Sequence, residues 1–369
     1  MFDITRRRLL SASAAIAFTA GSVLPAAAQS GTNGEGVEPP VKAAFVYVGP
    51  VGDFGWTYAH DQARQCLEKN LGDKVETSYV ENVAEGPDAE RVIRQLAQEG
   101  NDIVFTTSFG FMNPTIKVAK QFPDVKFEHA TGYTTGGNEN MGLYNSKFYQ
   151  GRAVLGTIAA MMSKSGKAGY IASFPIPEVV MGINAFQLAA QKVNPDFETQ
   201  VVWVNSWYDP AKEADATNAL LSQGADVITQ HTDSPAPLQA AEKAGAIAFG
   251  QAWDMTSFAP NAHMTAIVDQ WCPYYTKRVQ ALLDGTWEAD NVWLGMAEGE
   301  VEMAPFNDKM PAEVKEAAQK IVDETKAGEY EIFTGPIKDQ SGEVKIPEGE
   351  VIPEGDLLKM DWYVEGVKS

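Results

Sequence analysis

The sequence predicts an α/β protein of two doubly wound, Rossmann-like lobes joined by crossover hinges. Three observations carry this. At 369 residues the chain exceeds what one hydrophobic core usually organises. Its strand-like runs are near-continuously apolar and alternate with helix-like stretches, the mark of parallel strands covered on both faces. And the alternating pattern occurs twice in tandem.

The duplication can be followed element by element. Lys42-AAFVYVGP, a helix-like stretch to Lys69 and Val75-ETSYVENV read strand, helix, strand. Lys167-AGYIASFP, a helix over Val180 to Val193 and Thr199-QVVWVNSW read the same way. ERVIRQLAQE at 90–99 then leads to GNDIVFTTSFG, as Asp215 to Gln223 leads to GADVITQHTDS. A helix follows each, Pro114 to Gln121 and Pro237 to Ala244, and then a strand, VKFEHATGY or AIAFGQAWD. The expected divisions are 41–148 for the first lobe with part of 256–300, and 149–255 for the second with part of 300–335. Hinges are placed near Asn145 to Phe148, Trp253 to Thr256 and Glu298 to Pro305. Met310 to Lys326 reads as a helix. The Gly-, Pro- and Glu-rich residues 336–369 read as an irregular extension with a hairpin around Asp339 to Gly342.

Residues 1–28 read as an export signal rather than part of the fold. TRRRLL at 5–10 precedes an Ala-rich apolar stretch and a small-residue site at Pro25-Ala26-Ala27-Ala28, the pattern of a twin-arginine signal. Residues 29–40 read as a disordered leader. Cys66 and Cys272 are the only cysteines, and neither lies at the cleavage site, where lipid would attach. Each falls in a helix-like pattern in a different part of the chain, so two buried free thiols are expected, with pairing the alternative.

A net charge of −20 argues against nucleic acid and anionic membrane as partners. In parallel α/β sheets ligands sit beyond the carboxyl ends of the strands, and two facing lobes would share one cleft. The residues there are Asp53, Phe54 and Trp56 in the first loop, then Ser108 and Phe109. The second half supplies Trp207, Asp233, Trp253 and Asp254. Aromatic faces suit a planar ligand, and isolated carboxylates accept from ring N–H and amino groups. Each has a competing use, the aromatics as core plugs and Asp53 as a helix cap. The histidines are His60, His129, His231 and His263, with no HExxH, no zinc-type Cys–His spacing, no GxSxG and no phosphate-cradling glycine loop. The residues read as a binder without cofactor or metal. An exported nucleoside hydrolase is the weaker reading.

The loop GDFGWTYAHDQ, GNDIVFTTSFGF, the crossover KFYQGRAVLGTIAAMMSKSGKAGYIASFP, VNPDFETQVVWVNSWYDP and GADVITQHTDSPAPLQAAEKAG together identify a resemblance. Over roughly residues 41–330 the chain resembles the basic membrane protein family of substrate-binding proteins, the purine nucleoside receptor type that feeds ABC importers. The resemblance implies a type I periplasmic binding protein fold and a purine ring held between two aromatics, Trp56 and Trp207. It gives Asp233 and Asp254 the base edge or the ribose. Two features depart from the family: Gly49 stands where an aspartate follows the first strand, and Asp269-Gln270-Trp271 stands in place of a sugar-binding lysine. Trp253 would also fill sugar space. These departures imply a free purine nucleobase, adenine-like, with nucleoside and sugar as alternatives. The resemblance further implies an ABC permease as partner, while the missing lipidation cysteine is a further departure that implies a monomer diffusing freely in the periplasm without a membrane anchor.

Overall fold

The computed structural model describes residues 36–369, so the signal and most of the leader expected from the sequence lie outside the described residues. Strands β1 (Val41–Val46), β2 (Val75–Val80), β3 (Ile103–Thr106), β4 (Lys126–Ala130) and β5 (Met141–Ser146) alternate with α1 (Trp56–Leu71), α2 (Pro87–Gln98) and α3 (Met112–Ala119). The chain then crosses to a second set. This contains α4 (Phe148–Met162), β6 (Lys167–Ala172), α5 (Pro177–Val193), β7 (Glu198–Trp203) and α6 (Pro210–Ser222). It continues through β8 (Val227–His231), α7 (Ala236–Ala244), β9 (Ile247–Gly250) and β10 (His263–Asp269). After it come α8 (Trp271–Leu283), β11 (Asn291–Leu294), β12 (Val301–Met303) and α9 (Ala312–Lys326). The last part holds β13 (Ile337–Lys338), β14 (Val344–Ile346), α10 (Glu354–Leu357) and β15 (Val367–Lys368).

The first sheet has the order β11-β5-β4-β3-β1-β2 and the second β12-β10-β9-β8-β6-β7-β15. Within each, the five strands of the repeat run parallel in the same order, so the duplication read from the sequence is a duplication of topology. In both, the first and third strands are neighbours whose connections leave on opposite sides, and ligands bind at the carboxyl ends there. β1 and β3 are buried almost throughout, which explains why Val, Ala, Ile and Phe fill them without alternation.

Three segments join the lobes. The first runs from β5 into α4, and the third from β11 to β12. The second lies at Asp269–Trp271, between β10 and α8, not at Trp253–Thr256 as the sequence suggested. The apolar run HMTAIVD pairs in parallel with β9, and its edge accepts β12 antiparallel, so it completes the second sheet before the chain returns.

The expectation of two free thiols is overturned: Cys66 and Cys272 form a disulfide. Helices α1 and α8 pack side by side on the first sheet and bring the two Cα atoms to 5.9 Å across 206 residues of sequence. The C-terminal segment is integrated rather than hanging. Met360, Val364 and Val367 are buried in the second lobe's core, β15 pairs with β7, and the hairpin β13–β14 forms around Asp339 to Gly342.

Candidate ligand site between the lobes

Between the carboxyl ends of the two sheets lies a small cavity. Trp56, Ser108, Phe109 and Thr131 line it from the first lobe, with Glu178, Trp207, His231, Asp233 and Gln251 from the second. Five of the ten residues singled out from the sequence are thus brought together: Trp56, Ser108, Phe109, Trp207 and Asp233.

Trp56 is the first residue of α1 and not a free loop residue. Its indole N–H donates to the carbonyl of Thr107 at 2.6 Å, and His60 and Trp271 meet it edge to face at 4.4 and 5.8 Å. Three neighbours therefore fix the ring before any ligand arrives. Trp207 follows β7 on the opposite side, packed against Phe174 at 5.0 Å. The cavity has an indole from each lobe.

Asp233 spans the cleft. Its Oδ1 accepts from the backbone N–H of Trp56 at 3.2 Å, placing a carboxylate of the second lobe at the amino end of a helix of the first. The approach is close enough to need glycine: a Cβ at Gly55 would lie 2.8 Å from the Asp233 backbone. Burial and the nearby Asp53 push the Asp233 carboxyl well above the usual carboxylate range.

Glu178, in the first turn of α5, completes the acidic wall. Burial pushes its carboxyl up to about 7, against the lowering pull of the Arg152 guanidinium. His231 stands 4.0 Å away, held neutral by burial and by the same arginine. Arg152 itself is committed inside the lobe. It donates to Thr229 Oγ1 at 3.1 Å, to the carbonyl of Gln230 at 2.7 Å and to Gln251 Oε1. The Gln251 carbonyl is thereby occupied.

The other five sequence candidates lie outside this lining. Asp53 is a cap: fully buried, it accepts from the N–H groups of Gly55, Thr57 and Tyr58 at 2.9, 3.1 and 2.9 Å. Burial raises it to about 6 despite those bonds. Phe54 adopts φ 65° and packs on Tyr58 and, across the lobes, on Phe258 at 4.6 Å. Trp253 meets Tyr58 edge-on at 5.4 Å and does not fill part of the cavity. Asp254 is exposed and closes a local turn on Thr256. Asp269 is buried at the end of β10, in the second crossover.

Glu178, His231, Gln251, Thr131 and Val48 line the cavity without having been singled out. His231 and Thr131 lie in strand-end segments that the sequence exposed, and Gln251 lies one residue before another. Glu178 lies in the first turn of the next helix, a place the same rule would reach if extended by one turn.

The sequence profile of the family described as ABC transporter substrate-binding protein, PnrA-like, matches residues 40–334. The chain belongs to this family. A purine-binding protein of Brucella abortus is 57% identical over 352 residues, covering 95% of this chain and 98% of the relative. A putative ABC transporter glucose-binding protein of Haloferax volcanii is 40% identical, with 89% and 81% covered. Solved structures of ABC solute-binding proteins from Aeropyrum pernix (TM-score 0.69, 17% identity, 81% and 93% covered) and Conexibacter woesei (0.64, 22%, 79% and 98%) share the fold. The substrate-binding role is therefore that of a PnrA-like receptor whose cleft lies between two α/β lobes.

Proposed function

We propose that the inter-lobe cavity takes a free purine nucleobase, adenine-like, and that the receptor delivers it to an ABC permease as a periplasmic monomer. It would leave the cytoplasm by the twin-arginine-type signal, without lipid. The observation that carries the ligand class is the pair of indoles, Trp56 and Trp207, one from each lobe, bordering a cavity whose polar wall is carboxylate. Stacking on each ring contributes about 0.5–1.5 kcal/mol beyond area burial. Hydrogen bonds between the ring's polar groups and Glu178 and Asp233 would add about 0.5–1.5 kcal/mol each where the carboxyl is neutral and about 1.5–3 kcal/mol where it is ionised. Arg152, which bonds Gln251 of the lining, is held within its own lobe, which favours neutral, donor-rich rings over anions. The name of the Brucella relative supports the purine reading.

A free base rather than a nucleoside is favoured by Asp269-Gln270-Trp271, where no lysine is offered to a ribose. The placement of Trp253 outside the cavity lends that preference no support. A sugar is the second reading, favoured by the name of the Haloferax relative and by the capacity of indoles to stack on pyranose faces.

Thermal-shift measurements on protein unfolded and refolded with its disulfide intact test this. Adenine, guanine, hypoxanthine, xanthine, their nucleosides, hexoses and pentoses form the panel. A ligand at a thousand times its Kd stabilises by about 4 kcal/mol. Shifts by free bases alone support the proposal. Larger shifts by nucleosides overturn the base preference, and shifts by sugars alone overturn the purine reading.

A further inference from the structure

Glu85, in the segment between β2 and α2, lies outside the cavity lining yet touches what surrounds it. Its Oε1 accepts from Ser108 Oγ at 2.6 Å and from the backbone N–H of Gly110 at 3.0 Å, both in the first lobe. The same oxygen accepts the indole N–H of Trp207, from the second lobe, at 3.2 Å. A Cβ at Gly110 would sit 2.3 Å from the Glu85 carboxyl carbon, so the glycine is what lets the carboxylate settle there.

We propose that Glu85 is a positioning residue that latches Trp207 over the bound ligand when the lobes meet, a role that rests on the ligand seating between the two indoles. Trp207 belongs to a loop of the second lobe, where Phe174 packs on its ring at 5.0 Å and His231 stands further off at 6.5 Å. Its N–H finds its partner on the other lobe. Ser108 and Gly110 hold the Glu85 acceptor in place from within the first lobe, so the indole docks onto a preset site. The Trp207 carbonyl also accepts from the N–H of Asp233, the residue whose carboxylate reaches Trp56. Two straps of one loop system therefore cross the cleft on either side of the cavity. In this arrangement the second aromatic wall is complete only in the closed receptor, and loss of the latch acts on ligand release.

The test uses stopped-flow binding of adenine to the full protein. Glu85→Ala is expected to raise the dissociation rate about tenfold and leave association within about twofold. Trp207→Phe, which keeps a ring and deletes the N–H, is expected to do the same. The double variant should be no worse than either single one, and Glu85→Gln, which keeps an acceptor, should stay within about threefold of wild type. Additive effects, or a loss confined to association, would overturn the latch. A second readout separates this from the ligand assignment: ¹⁹F NMR of 5-fluorotryptophan-labelled protein, with the Trp207 line identified by its loss in Trp207→Phe. Glu85→Ala should move that line, and a line unmoved in both free and adenine-containing samples overturns the proposal. If adenine fails to bind wild type, the nucleobase reading falls, and the same line is read with whichever base, nucleoside or sugar of the thermal-shift panel binds.

Discussion

Trp56 serves two roles that compete in most proteins. As the first residue of α1 it packs against His60 and Trp271, and it presents the rest of its ring to the cavity. Trp56→Ala should weaken adenine binding about 100-fold by isothermal titration, with Trp56→Phe intermediate. Asp53 and Asp254 have structural roles outside the cavity, one as a cap and the other in a local turn. Asp53→Ala should lower stability in denaturant by about 1 kcal/mol, because it leaves the N–H groups of Gly55, just before α1, and of Thr57 and Tyr58 in its first turn without an acceptor. Asp254→Ala should leave adenine affinity within about twofold. The type of chemistry at the site, aromatic and acidic, was legible at this scale because residue type alone states it. Which aspartate caps and which lines the cavity was not, since Asp53 and Asp233 differ only in where the backbone N–H groups lie around them. Glu178 escaped notice because a helix's first turn, seen in sequence, is indistinguishable from an ordinary acidic N-terminus.

The strand–helix alternation and its repetition were readable because a parallel strand buried on both faces leaves an uninterrupted apolar run. The second crossover was not. β10 is apolar like its neighbours, and only its pairing with β9 and β12 says which sheet owns it. The cysteine pairing belongs to the same class, since it depends on two helices 206 residues apart lying side by side. The disulfide ties α1, which carries Trp56, to α8, which begins at the second crossover. The Cys66→Ser/Cys272→Ser double variant should lose about 2–5 kcal/mol of unfolding free energy, read from denaturant midpoints.

Acidic groups pressed together where the lobes meet contribute a pH dependence of definite sign, opposed by buried neutral histidines such as His60 and His231. Asp53 is raised from 3.8 to about 6 and Glu178 from 4.5 to about 7, both by burial, and Asp233 is raised as well. A carboxyl raised in the folded state binds protons that the unfolded chain has already lost. Its favourable contribution is full below the unfolded value and disappears as pH rises through the folded one. That contribution to the stability of the ligand-free protein should therefore rise between pH 7.5 and about pH 5, read by differential scanning calorimetry as the difference between wild type and each carboxyl variant. Relative to Glu178→Gln and to Asp233→Asn, the wild-type melting temperature should gain over that window, and a difference that does not change with pH would contradict the assignment.

Neither lobe is continuous in the chain. The first sheet takes its edge strand β11 from residues 291–294, and the second takes β15 from residues 367–368. On a ribosome, the amino-terminal half would emerge with its sheet lacking an edge, its helix α1 lacking α8 and Cys66 lacking its partner. Such a half has no completed intermediate to rest in. Folding of both halves must converge late, once synthesis has passed the last crossover, and a nascent chain stalled before Trp271 should remain open to protease however native its first strands are.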